Sequence, residues 1–67
     1  MASKEFGLKL KEFRKKAGLT QQKVADQLNI PSKATVSSWE IGHSTPDAET
    51  MIKLLLLYHV DDYRNLI

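Results

Sequence analysis

The chain has 67 residues, 42% of them hydrophobic, with five aromatics and no cysteine. That is room for one small core, and it excludes a disulfide framework, a thiolate metal site and a large enzyme. The net charge of +2 is too small to name a partner class, and His43 and His59, sixteen positions apart, do not suggest a metal site.

The opening residues through Phe6 carry no apolar secretory stretch. The longest apolar run, Leu54 to Tyr58, is far short of the roughly 20 residues that span a bilayer, so the cytoplasm is the expected compartment.

Turn signals divide the chain into five short helices. The first is expected over about 3–17, with Phe6, Leu10, Phe13 and Ala17 forming one helical stripe and Gly18 supplying a left-handed stop. Thr20 caps a second helix over 21–28 that turns Val24, Ala25 and Leu28 inward. Asn29, which tolerates a left-handed backbone, closes it.

Ile30 and Pro31 make a turn, and Ser32 caps a third helix over 33–41, ended by Gly42. With Val36 as origin and about 100° per residue, Trp39 and Ser32 fall on the inward side. Ala34, Ser37, Ser38 and Ile41 then form the outward face. That face is short-chained and mostly polar, where a purely solvated helix more often carries Glu and Lys. Small residues let a helix sink into a groove, and hydroxyls can bond to base edges; the alternative, on equal terms by composition, is that Ser and Ala are merely tolerated on a surface helix. Asp47 caps a fourth helix over 48–58, His59 takes its stop, and Asp61 caps a fifth over 62–66.

Charge is unevenly divided. Residues 1–33 hold eight Lys/Arg against Glu5, Glu12 and Asp26, a net of +5, while the remainder nets −3. A basic half suits a phosphate backbone, and an ordinary solvated Lys-rich helix is the alternative. Catalysis finds no support: there is no phosphate-cradling glycine loop, nucleophile elbow or zinc motif.

Helices two and three, joined by a tight turn, make a helix-turn-helix. Around them stand Phe6-Gly7, Leu10-Lys11-Glu12-Phe13-Arg14, Gly18-Leu19-Thr20-Gln21, Ala25, Leu28, Val36-Ser37, Trp39-Glu40, Gly42, and Pro46-Asp47 with Thr50. In these residues the sequence resembles the Cro/C1-type (lambda repressor-like) helix-turn-helix DNA-binding domains over nearly its whole length. The resemblance implies an all-α, five-helix domain over 1–67 that binds double-stranded DNA with its third helix in the major groove. It implies the operator-binding part of a bacterial or phage transcriptional repressor, without cofactor or metal. Pairing as a homodimer on two half-sites roughly 34 Å apart completes that expectation.

Carried over by position, Lys33, Ala34 and Ser38 match base-reading positions, with Ser32 and Ser37 as neighbours. Gln21 resembles the glutamine that clamps the DNA backbone at a helix N-terminus, assisted by Thr20. His43, Ser44 and Thr45 fall in the loop expected against opposite phosphates. Arg14 and Glu40 resemble the family's structural ion pair, and Trp39 is expected to pack on helix four.

Three departures stand out. The segment Asn29 to Thr35 has seven residues where the family usually has six, which puts individual base contacts in question more than the fold. Ile41 replaces a frequently polar or basic residue, removing one phosphate contact. Helix-four core positions map onto Met51, Leu54, Leu55 and Tyr58, leaving Leu56 and Leu57, with Tyr63, as a candidate partner or dimer surface. The competing reading keeps the fold and gives that surface a protein-interaction or antitoxin role. The end at Ile67, directly after the fifth helix, reads as the N-terminal domain of a longer regulator that dimerises through its further part, with a small autonomous protein as the alternative.

Overall fold

The computed structural model describes residues 4–59. Four α-helices occupy this span: α1 (Lys4–Lys16), α2 (Gln21–Gln27), α3 (Lys33–Glu40) and α4 (Ala48–Leu57). The expected fifth helix over 62–66 lies outside the described residues, as does Tyr63. Each of these helices ends one residue before its expected last position, and after α2, α3 and α4 that residue (Leu28, Ile41 and Tyr58) is the C-cap.

The starts are set by short polar side chains. Thr20 accepts the Lys23 amide at 3.1 Å, Ser32 the Ala34 amide at 3.0 Å, and Asp47 the Thr50 amide at 2.8 Å. Each satisfies a donor that the first helical turn leaves orphaned. The Asp47 carboxyl is held below the usual carboxylate range, foremost by its hydrogen bond to Thr50.

The stops share one device. Gly18, Asn29, Gly42 and His59 all have φ between 56° and 79°. After α1, α2 and α3 this kink turns the next amide back onto the last turn: Leu19 donates to the Arg14 carbonyl, Ile30 to that of Ala25 and His43 to that of Ser38. These are Schellman closures, which satisfy terminal carbonyls while reversing the chain sharply. The turn between α2 and α3 opens with such a closure, at Asn29 and Ile30.

α3 packs against both α1 and α2. Leu10, Val24, Ala25, Val36, Trp39, Leu54 and Tyr58 form the buried cluster, with Phe6, Phe13, Met51, Leu55 and Leu57 packed against it. On α1 the fully buried line is Gly7, Leu10 and Arg14, and Phe6, Phe13 and Ala17 flank it half-buried. The expected stripe is thus rotated toward Gly7. A Cβ on Gly7 would stand 2.5 Å from the Glu40 carbonyl oxygen and 2.6 Å from that of Trp39. The bare glycine is what lets α1 cross the end of α3 so closely.

Two expectations need correction here. Ser32 is exposed rather than inward, because its N-cap backbone is extended (φ −157°, ψ 146°) and the helical 100° step does not reach it. Leu57 packs half-buried against the core and is not part of a free surface. Leu56 is 65% exposed, and Ile52, one turn before it, is 60% exposed. No helix among the described residues is long and apolar enough to cross a membrane.

Candidate nucleic-acid interface

The base of the site is an ion pair. Arg14 Nε donates to Glu40 Oε2 at 2.6 Å and its Nη2 to Oε1 at 3.1 Å, and its Nη1 reaches the Leu19 carbonyl at 2.8 Å. Both side chains are buried, yet every polar atom has a partner. The hydrogen bonds to Glu40 hold the guanidinium above its ordinary pKa against the opposing effect of burial. A planar fork on a carboxylate is the geometry in which a buried charge pair is tolerable. Here it ties α1, the α1–α2 turn and the last residue of α3 into one unit.

Gln21 joins the same network. Its Nε2 donates to Glu40 Oε1 at 3.0 Å, so the side chain is braced from behind while its amide oxygen stays uncommitted to Glu40. Thr20 is exposed, with its hydroxyl oxygen engaged as the α2 cap. Across the turn, Lys33 at the start of α3 lines a shallow groove together with Thr20, Gln21, Gln22 and Arg14. The structure thereby brings Gln21 and Lys33, taken from different helices, to one groove.

Along α3, Val36, Trp39 and Glu40 face inward and are buried, which fixes the helix about its own axis. Lys33 and Ala34 are exposed, Ser37 and Ser38 half-buried, and Ile41 is 63% exposed. Ser38 and Ser44 hydroxyls meet at 2.8 Å, and the Ser38 carbonyl also accepts the amides of His43 and, at 3.3 Å, Ser44. The loop after α3 is therefore anchored to the residue expected to read a base. His43 and Thr45 remain exposed beside it.

A second, open cleft of about 230 Å³ is also bordered by Gln21. Lys4, Leu8 and Lys11 line it from α1, and Ser37 and Ile41 from the α3 side, with Glu40 also bordering it. This cleft, the Gln21 and Ser38 hydrogen bonds and the role of Gly7 are not legible in the sequence. Only Gly7 left a signal: a glycine one helical turn before Leu10 inside an otherwise helix-favouring segment. Among the described residues no cluster of His, Cys, Asp or Glu could hold a metal ion.

The chain is 45% identical over 58 residues to the HTH-type transcriptional regulator ImmR of Bacillus subtilis (strain 168), a match covering 85% of this chain. The match spans only 45% of that relative's length. No solved structure matches. A family model described as Helix-turn-helix matches residues 10–62, a span that takes in α2, α3, the turn between them and the buried Arg14–Glu40 pair. The chain belongs to this helix-turn-helix family, of the Cro/C1 type.

Proposed function

We propose that residues 1–67 form one sequence-specific DNA-binding domain of a bacterial transcriptional regulator acting in the cytoplasm as a repressor. The observation that carries this reading is the posture of α3. Its inner face is locked by Val36, Trp39 and the Glu40 ion pair, so Lys33 and Ala34 project from a rigid edge. Gln21 and Lys33 flank one groove at that edge. In this reading α3 enters the major groove, Lys33 and Ala34 meet base edges, and Gln21 and Thr20 take a phosphate.

Ser38 has a double role in the same reading. Its bond to Ser44 leaves one hydroxyl proton of the pair available, so the two serines together address DNA, with Ser38 setting the position of His43, Ser44 and Thr45. Ser32 serves as the helix cap and Ser37 borders the reading edge. One such module makes few contacts, and two copies on half-sites roughly 34 Å apart would supply the missing affinity. Exposed Ile52 and Leu56 offer apolar area for that pairing or for a partner protein.

The test is selection of bound duplexes from a random pool, followed by titration at several salt concentrations. Gln21→Ala should weaken binding to all sequences alike. Lys33→Ala should relax preference at one base pair, by on the order of 1–3 kcal/mol if that base is directly read. No enrichment from the pool, or no change with either substitution, rejects the reading.

A further inference from the structure

The two apolar residues most out of place near the site are Leu8, 51% exposed, and Ile41, 63% exposed. They line the same cleft, and Lys4 and Lys11 line it with them. Lys4, Leu8 and Lys11 are spaced four and three apart, so they form one stripe along α1. The missing side chain at Gly7 lets that helix lie directly against the end of α3. The stripe is thereby carried next to Gln21 and Ser37, and Gln21 borders both this cleft and the Lys33 groove.

A duplex strand presents the chemistry that such a cleft fits: an anion every few ångströms, with deoxyribose rings between. Resting on the DNA-binding reading above, we infer that the DNA interface continues onto α1, where Lys4 and Lys11 neutralise two backbone phosphates and Leu8 with Ile41 packs against the sugar between them. Glu40 also borders the cleft, but its two oxygens are taken by Arg14 and Gln21, which offsets its repulsion of an anion. Ile41 thus does not leave a gap in the interface. It supplies an apolar contact while the lysines of the neighbouring helix provide the charge.

The experiment measures binding to the selected duplex over a range of salt concentrations for three proteins: the unaltered chain, Lys4→Gln/Lys11→Gln, and Lys9→Gln/Lys16→Gln. Both doubles remove two positive charges from α1, but Lys9 and Lys16 sit about 120–140° around the helix from Lys4. Circular dichroism melts establish that each protein is folded. The expected result is that the slope of log K against log salt falls by about 1.8 in the Lys4/Lys11 protein, about 0.9 per phosphate contact, and changes little in the other. Base preference stays the same, and Leu8→Asn weakens binding at every salt concentration without altering the slope. Equal slopes in the two doubles, or an unchanged slope in the first, overturn the inference while leaving the DNA reading intact. Failure of the unaltered protein to bind duplex overturns the reading on which it rests.

Discussion

Replacing Gly7 with alanine sets two physical effects against each other. Gly7 lies inside α1, where the ordinary expectation for glycine to alanine is a gain of about 1 kcal/mol from helix propensity. The new Cβ, however, would sit 2.5 Å from the Glu40 carbonyl oxygen, 2.6 Å from the Trp39 oxygen and 2.8 Å from the Glu40 carbonyl carbon. Ordinary contact begins near 3.4 Å, so α1 must retreat by roughly 1 Å. All three atoms are backbone, and neither carbonyl can swing aside cheaply. The Trp39 oxygen already accepts the Gly42 amide that ends α3, and Glu40 is held by Arg14.

Overpacking typically costs about 1–3 kcal/mol, and three fixed backbone atoms beside a buried ion pair put this site in the upper part of that range, about 2–3 kcal/mol. After subtracting the propensity gain, Gly7→Ala should destabilise by about 1–2 kcal/mol. In a domain of this size each kcal/mol moves the melting temperature by about 4–8 °C, so a fall of roughly 5–15 °C is expected. Thermal and urea unfolding followed by circular dichroism measure it. An unchanged or raised Tm would refute the close α1–α3 crossing, because propensity alone would then have decided the outcome.

Two more outcomes follow from the same core. Glu40→Ala strands the buried Arg14 guanidinium and should cost about 3–5 kcal/mol, a large share of the total stability of so small a domain. Replacing both partners, as Arg14→Met with Glu40→Leu, should cost less than the sum of the single changes, and strict additivity in a double-mutant cycle would count against the pair. Tyr58 is buried, and burial pushes its phenol above the ordinary value of 10. A raised folded pKa means its contribution is complete below the unfolded value and is lost as pH rises beyond it. Urea midpoints should therefore drop between pH 10 and 11 by an amount equivalent to about 1 kcal/mol more in the native protein than in Tyr58→Phe. Parallel alkaline limbs would place Tyr58 in solvent.

The three parts of the proposed interface depend on one another through α3. Its exposed edge is held because Glu40 is clamped by Arg14 and Gln21, and its exit loop is placed because Ser38 holds Ser44. A change at Arg14, which itself lines the Lys33 groove, should therefore disturb both flanking grooves.

What could be read along the chain were features governed by neighbours a few residues away. Thr20, Ser32 and Asp47 as caps, and Gly18, Asn29, Gly42 and His59 as stops, depend on side-chain reach and on left-handed φ, both local properties. The inward positions of Val24, Ala25, Val36 and Trp39 follow from helical period. The tertiary structure alone decided which side of α1 meets α3, since Phe6 and Phe13 suit a core as well as Leu10 does and a glycine carries no hydrophobic signal. It also decided that Gln21 leans on Glu40, nineteen residues away, and that Lys4, Leu8 and Lys11 stand beside Ile41. Such juxtapositions depend on how closely two helices cross, and that distance is set by atoms far apart in the chain.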